Sequence, residues 1–352
     1  MNKNYFLTIS LIAFCTSAYA MTNQQAETLA KKAVKGNTAA LSSLKTAALG
    51  GDSNAENWLG DYLIVKHHYK QGVVWLKKAS TQNNANGETN LGVVYHFGLG
   101  VPQDYAKAIY WFQKAADQGD AEAEYNIGVA YSKGHGVPQD YAKAIYWFQK
   151  AADQGDAGAE CNLGVAYSKG HGVPKDYAKA DYWFQKAADR GLSEAEYNLG
   201  VFYNNGLGVP QDYAKADYWF QKAADQGYVK AEYDLGLAYY EGQGVPQDYA
   251  KADYWFQKAA DYGYARAEFN IGVAYYKGQG VQRDLTTAIR WLKKSANQGD
   301  RRAQYILGLS YGLGQGVPKN PIKALHWLEK AAAQGDQRAE QDIQIIEHGA
   351  TG

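Results

Sequence analysis

Tryptophan recurs at a fixed interval of 36 residues along most of this 352-residue chain. A glycine recurs at the same interval. A period of this length indicates a solenoid, in which one short structural unit is repeated and each copy completes the core of its neighbours. The two series are Trp75, Trp111, Trp147, Trp183, Trp219, Trp255, Trp291 and Trp327, and Gly92, Gly128, Gly164, Gly200, Gly236, Gly272 and Gly308.

Each repeat is predicted to form two helices joined by a short loop. In one repeat, small and apolar residues lie on one side of a helix over residues 121–133 and again over 141–153. The loop from Gly134 to Pro138 separates them, because glycine permits the positive φ at which a helix ends and proline cannot continue the helix. Asp140 is the predicted cap of the second helix.

The repeated glycine lies inside a predicted helix, where it costs roughly 1 kcal/mol relative to alanine. Its recurrence indicates that packing compensates, through contact with a large Trp or Phe side chain of the adjacent helix. We therefore predict structural roles for both series, and in the central repeats their members are Gly128, Gly164, Gly200, Trp147, Trp183 and Trp219.

The repeat has a long consensus, A-E-A-x-Y-N-L-G-x-x-Y-x-x-G-x-G-V-x-x-D-Y-x-K-A-x-x-W-x-x-K-A-A, which is matched closely over residues 85–335. This pattern resembles the Sel-one-like repeat, a branch of the tetratricopeptide superfamily. The resemblance implies an all-α fold, a right-handed α/α solenoid (superhelix) of about eight or nine helical hairpins. We expect residues 52–335 to form the solenoid, 21–51 a degenerate N-terminal hairpin, and 336–352 a capping helix and tail.

Residues 1–20 have the pattern of a cleavable signal peptide. Lys3 gives a positive start, residues 5–14 are apolar, and Ala18-Tyr19-Ala20 matches a small-x-small cleavage site. The apolar run is too short to span a bilayer as a mature helix, and no other stretch is apolar enough to do so. We expect cleavage after Ala20 and a periplasmic or secreted protein.

The resemblance to tetratricopeptide hairpins implies that the first helix of each hairpin lines a concave binding face. An amide side chain can bond a peptide backbone, and tyrosine offers a flat apolar face with a polar tip, so two slots of this helix are candidate binding positions. Alternatively, the amides tie hairpins together and the tyrosines, with Cys161 among them, form core. The slots contain Asn90, Asn126, Asn162, Asn198, Asp234 and Asn270, and Tyr125, Tyr197 and Tyr233.

Two further slots vary between repeats that are otherwise nearly identical. One contains Tyr240 and Tyr276 where earlier repeats have Ser or Asn, and the other changes from Glu122 to basic residues such as Arg266 and Arg302. Folding does not require these changes, so we predict that both slots contact a partner on the concave face. The alternative is sequence drift on a solvated face.

Carboxylates also replace an apolar residue on the second helix. Asp181, Asp217 and Asp253 occupy a slot that contains Ile109 or Ile145 in earlier repeats. Because charged side chains usually face water, we predict an exposed acidic strip at this position.

Signatures of catalysis and of metal binding are weak. Ser42 and Lys45 have the Ser-x-x-Lys spacing of penicillin-interacting serine enzymes, but the Lys-Thr-Gly and Ser-Asp-Asn companions are missing. His135 and His171 share one loop position, yet two histidines without a third ligand make a poor metal site. Each Gly-x-Gly follows a helix rather than a strand, which favours a turn over a phosphate loop. We predict no catalytic residue, no cofactor and no metal.

These patterns favour a non-enzymatic scaffold or adaptor in the bacterial envelope or outside the cell. The 36 basic and 36 acidic side chains provide no global charge for nucleic acid. The resemblance implies a peptide or protein partner, with envelope signalling or host interaction as the role. The alternatives are a cell-wall-active or β-lactam-binding enzyme acting through Ser42 and Lys45, and a glycan-binding module that takes peptidoglycan or polysaccharide.

Overall fold

A computed structural model describes residues 21–349, and within this range every regular element is an α-helix. The predicted signal peptide, residues 1–20, and the last residues, 350–352, lie outside the described part of the chain. Contacts divide the chain into two compact units, with the boundary in the sequence between Asp176 and Tyr177.

Unit 1 contains nine helices of 12 or 13 residues. In chain order they are α1 (Asn23–Val34), α2 (Thr38–Leu49), α3 (Ser53–Val65), α4 (Tyr69–Thr81), α5 (Ala85–Phe97), α6 (Tyr105–Ala116), α7 (Ala121–Lys133), α8 (Tyr141–Asp153) and α9 (Ala157–Lys169). Consecutive helices pack as hairpins, α3 with α4, α5 with α6 and α7 with α8. The second helix of each of these hairpins also contacts the first helix of the next one, so neighbouring hairpins share their core.

Unit 2 repeats this organisation. Its helices are α10 (Tyr177–Asp189), α11 (Ser193–Asn205), α12 (Tyr213–Asp225), α13 (Val229–Glu241), α14 (Tyr249–Asp261), α15 (Ala265–Lys277), α16 (Leu285–Asn297), α17 (Arg301–Leu313), α18 (Pro321–Ala332) and α19 (Gln337–Gly349). The pairs α11–α12, α13–α14, α15–α16 and α17–α18 form hairpins, and α19 packs against α18. The repeated hairpins confirm the all-α solenoid fold predicted from the 36-residue period.

The loop inside each hairpin is built as the sequence predicts. Gly134 ends α7 with φ 71°, and Asp140 caps α8 by accepting a hydrogen bond from the backbone N–H of Lys143 at 3.0 Å. A Cβ on Gly136, which has φ 75°, would lie 2.7 Å from the carbonyl carbon of Tyr105 in the preceding hairpin. Glycine is therefore required here by the backbone conformation and by close packing between hairpins.

The glycine inside each first helix provides room for a large side chain of the second helix. A Cβ on Gly128 would lie 2.6 Å from Cδ1 of Phe148, and one on Gly200 would lie 2.4 Å from Cδ1 of Phe220. The predicted close contact is confirmed, and its partner is phenylalanine rather than tryptophan. Gly164, on α9, is also buried.

Tryptophan joins one hairpin to the next. Trp147 of α8 packs against the core cluster that contains Phe112 of the preceding hairpin and Ile127 of its own hairpin. Trp183 and Trp219 are half-buried at the same position of later repeats. The Lys150 ammonium lies over the Trp147 ring, 4.7 Å from its centre, at a distance that allows a cation–π interaction.

Candidate functional site

The asparagine slot lies on one side of the odd-numbered helices, which we call the first-helix face. Asn90 donates to Oδ1 of Asn57 in the preceding hairpin at 2.8 Å, and this bond ties two hairpins together. Asn126 and Asn162 instead donate to carbonyls of their own helices, Glu122 O and Gly158 O, both at 2.9 Å. Asn198, Asp234 and Asn270 are half-buried at the same slot.

The tyrosine slot faces the packing between hairpins. Tyr233 is 7% exposed and belongs to the core cluster around Phe256. It therefore lies in the core and not on the predicted binding face. Tyr125 and Tyr197 are half-buried, and Tyr125 packs 6.0 Å from Phe148 between ring centres. Cys161 is buried at this slot, as predicted. The physical reason is the register: the slot lies between two first helices, where a bulky ring fills the gap.

The variable slots lie nearer to solvent. Tyr240 and Tyr276 are half-buried, and their hydroxyls contact Gln279 and Gln315 in the loop of the next hairpin. Arg266 and Arg302 are exposed.

Arg302 is held in place by its neighbours. Its guanidinium pairs with Asp300 at 2.8 Å and lies 4.0 Å from the centre of the Phe269 ring. This orientation is therefore fixed before any partner arrives.

A buried glutamate recurs on the first helices, and helical periodicity did not predict its burial. Glu124 is 1% exposed, its Oε1 lies 2.7 Å from Lys150 Nζ, and its Oε2 accepts from Gln154 Nε2 at 2.8 Å. Burial of this carboxylate is tolerated because both oxygens have partners within the hairpin. The sequence signal was a glutamine 30 residues after the glutamate, or 26 residues after it in the first, shorter repeat. The same pair occurs at Glu56 and Gln82, Glu88 and Gln118, Glu196 and Gln226, and Glu268 and Gln298.

The hairpin that contains Glu232 lacks this glutamine and provides a test. Tyr262 stands in its place and is exposed, Glu232 Oε2 is buried without a hydrogen-bond partner, and burial raises the pKa of Glu232 although Lys258 opposes the rise. We expect Tyr262→Gln to raise the free energy of unfolding by about 1–2 kcal/mol at pH 7. The gain should disappear at pH 3, where the carboxyl is protonated in both states.

Urea unfolding at both pH values measures this effect. Tyr262→Ala is the matched control because it removes the same ring and leaves Glu232 without a donor. Equal stability of the glutamine and alanine variants at pH 7 would contradict the assignment.

The predicted acidic strip on the second helices is wrong. Asp217 is 8% exposed, Asp181 and Asp253 are half-buried, and each has one buried carboxylate oxygen without a hydrogen-bond partner. Burial raises the pKa of Asp217 and of Asp253 to about 7, and it also raises the pKa of Asp181. The covering element is the loop of the next hairpin, since a Cβ on Gly244 would lie 2.3 Å from Asp217 Oδ2.

Two clefts occur at equivalent positions of the first-helix face, one in each unit. Cleft 1 lies in unit 1, has a volume of about 200 Å³, and is lined by α7, α8, α9 and the loop residue His171. Cleft 2 lies in unit 2, has a volume of about 320 Å³, and is lined by α11, α12, α13 and Gln243. Ile145 in cleft 1 corresponds to Asp217 in cleft 2, and Asn162 corresponds to Asp234.

The other candidate residues do not come together as a site. Ser42 and Lys45 are both exposed on α2. His135 and His171 stack on different tyrosines, Tyr105 at 4.7 Å and Tyr141 at 4.6 Å between ring centres. Over residues 21–349, no group of three or more His, Cys, Asp or Glu side chains is arranged to hold a metal ion. None of the helices in this range is long and apolar enough to cross a membrane.

Comparison with known families and solved structures identifies the repeats of this chain. A family model for the Sel1 repeat matches eight consecutive segments, residues 53–84, 85–120, 121–156, 157–192, 193–228, 229–264, 265–300 and 301–336. A search of curated proteins finds no match.

Two solved structures are similar over most of the chain. A protective antigen present in uropathogenic Escherichia coli strains, with an SLR fold, is 36% identical, with a TM-score of 0.75 over 87% of this chain and 67% of that one. A Sel1 repeat protein from Oxalobacter formigenes is 32% identical, with a TM-score of 0.64 over 96% of this chain and 98% of that one.

Proposed function

Because the chain belongs to the Sel1 repeat family, whose members are generally protein-interaction scaffolds, we propose that it is a non-enzymatic scaffold for a peptide or protein partner. The partner binds along the first-helix face. The observation that carries this proposal is a basic slot in unit 2: Lys230, Arg266 and Arg302 are exposed at equivalent positions of successive hairpins. Such a row of like charges attracts an acidic segment and steers its encounter with the face.

The test is capture of partners by crosslinking and mass spectrometry in the cells that produce the protein. We expect the triple variant Lys230→Glu, Arg266→Glu and Arg302→Glu to lose the partners that the wild type captures. The matched control reverses three exposed lysines on second helices of the same unit, Lys215, Lys251 and Lys323, and should keep them. Equal capture by both triple variants would overturn the placement of the binding face.

We also propose that the chain is exported to the periplasm or secreted, with cleavage after Ala20 as the sequence predicts. The packing of Met21 supports this proposal. Its backbone N–H donates to Asp52 Oδ2, and its carbonyl accepts from Asn54 Nδ2 at 2.8 Å. Cleavage would convert that N–H into an ammonium beside a carboxylate. The next residue, Thr22, is the N-cap of α1 and forms a reciprocal capping box with Gln25.

We expect the N-terminal residue of the protein purified from the envelope or medium to be Met21, as read by mass spectrometry. Asp52→Asn should destabilise the mature chain by about 1 kcal/mol, because asparagine can still cap α3 but cannot pair with an ammonium. A chain extended by Ala20 places its ammonium elsewhere and should lose less on the same substitution. Equal losses in the two chains would contradict the ion pair.

A second candidate, glycan binding, is favoured by one specific feature. Five tyrosines at one slot of the second helices are between 56% and 59% exposed, and each packs edge-on against the following tryptophan. Exposed rings of this kind can stack on sugars. Retention on insoluble peptidoglycan, lost when these tyrosines become alanine, would support this candidate. They are Tyr110, Tyr146, Tyr182, Tyr218 and Tyr254.

A further inference from the structure

Cleft 2 contains a carboxylate that the protein leaves without a counter-charge. Asp217 lines the cleft, is 8% exposed, and has no hydrogen-bond partner on its Oδ2. An ionised carboxylate in such a place is costly unless a cation or a donor reaches it. Burial accordingly raises the pKa of Asp217 to about 7. The buried glutamates of the same fold show the alternative, since Glu124 has both a lysine and a glutamine partner.

The rest of the cleft suits a cation on an alkyl stem. Val201 and Leu237 provide apolar wall, while Asn204, Asn205 and Gln243 add amide oxygens that can accept hydrogen bonds. Glu241 is exposed at the edge and adds a second negative charge. A volume of about 320 Å³ is at the lower end for small-molecule pockets, which fits a side chain or a small amine.

The third acid of the cleft, Asp234, is already balanced within the protein. Asp234 accepts a hydrogen bond from the Tyr197 hydroxyl, and Arg266 and Lys230 lie near enough to favour its charged form. Burial still raises the pKa of Asp234, to about 6. For Asp217, burial raises the pKa and no neighbouring cation or donor opposes the rise. Asp217 is therefore the group that a ligand would neutralise.

Cleft 1 provides an internal reference with the same backbone plan. It has Ile145 where cleft 2 has Asp217, and Asn162 where cleft 2 has Asp234. The exchange of an apolar residue for a buried acid gains no packing. It changes the chemistry that the cleft can accept, from neutral to cationic.

We propose that cleft 2 binds a primary ammonium or guanidinium group, with Asp217 as its counter-ion and the cleft amides as further acceptors. A metal ion is the less suitable ligand, because the described residues contain no group of three or more His, Cys, Asp or Glu placed to hold one. The cation belongs either to a lysine or arginine side chain of a bound peptide or to a free small amine. In the peptide form the inference rests on the proposed function.

The test uses the mature chain with ¹³C-labelled aspartate carboxyls at pH 8. The Asp217 signal is the one absent from Asp217→Asn. The probes are N-acetyl-lysine methylamide, butane-1,4-diamine and, as the uncharged control, N-acetyl-norleucine methylamide. We expect a saturable shift of the Asp217 signal with at least one of the two amines and none with the norleucine compound. Calorimetry should show at least tenfold weaker amine binding to Asp217→Asn, and unchanged binding to Asp225→Asn on the same helix.

The outcomes separate the alternatives. Binding of the lysine compound assigns the cleft to a peptide side chain, and binding of the diamine alone assigns it to a free amine. Equal shifts with norleucine, no shift with either amine, or unchanged affinity in Asp217→Asn would overturn the inference. Partner capture through the basic slot is measured in a separate experiment. The scaffold proposal can therefore hold if cleft 2 binds no amine, and cleft 2 can bind an amine if the basic slot captures no partner.

Discussion

Replacing Asp217 by isoleucine is expected to raise the free energy of unfolding at pH 8 by up to about 4 kcal/mol. Isoleucine occupies the equivalent position in three other repeats, as Ile109, Ile145 and Ile289. Burial raises the pKa of the Asp217 carboxyl from 3.8 to about 7, so the ionised form is the less stable one in the folded chain. At about 1.36 kcal/mol per pKa unit, this rise corresponds to about 4 kcal/mol.

The pH dependence of the effect follows from the direction of the pKa change. Below about pH 4, the Asp217 carboxyl is protonated in the folded and unfolded chain, and its ionisation does not affect stability. Between 3.8 and about 7, the unfolded chain ionises first, so the folded state loses stability as the pH rises. Above about pH 7 the loss is complete. The advantage of isoleucine should therefore grow across this window and stay constant above it.

Urea unfolding followed by helical circular dichroism between pH 4 and pH 8 measures this profile. Asp217→Asn keeps the shape of the side chain and should remove the same pH dependence. Asp225→Asn removes an exposed charge from the same helix and should change stability by less than about 0.5 kcal/mol. Parallel pH profiles for the wild type and Asp217→Ile would contradict the assignment.

The fold was predictable because its signals are local and repeated. The helix ends depend on Gly134 and Asp140, whose conformations are set by neighbours within a few residues. The glycines inside the helices predicted close packing, but they did not predict which aromatic ring fills the space. Phe148 and Trp147 are adjacent in sequence, so only the rotation of α8 decides that phenylalanine faces Gly128.

The site residues were harder to predict because their surroundings come from other helices and loops. Asp217 is followed by the exposed Tyr218 on its own helix, and the loop that covers it belongs to the next hairpin, at Gly244. Glu124 was likewise hidden, since its burial depends on partners about 30 residues away in Lys150 and Gln154. Burial of a charge depends on such contacts with other helices and loops, which helical periodicity within one helix does not show.

Gly200→Ala is expected to lower the free energy of unfolding by about 2 kcal/mol, although alanine is the better helix former. A Cβ at this position would lie 2.4 Å from Cδ1 and 2.5 Å from Cε1 of Phe220. Phe220 is buried in the core of unit 2, so its ring cannot move without disturbing Ala216 and Leu235 beside it. The cost of overpacking therefore exceeds the gain of about 1 kcal/mol in helix propensity.

The same substitution at Gly312 should have the opposite sign. Gly312 lies in α17, and the nearest atom to an added Cβ is Ala324 Cβ at 3.7 Å, an ordinary van der Waals contact. Alanine there should raise the free energy of unfolding by up to about 1 kcal/mol. Urea unfolding of both variants decides the matter, because a general intolerance of alanine would destabilise both. Opposite signs require that the periodic glycines are maintained by the phenylalanine contact and not by helix flexibility.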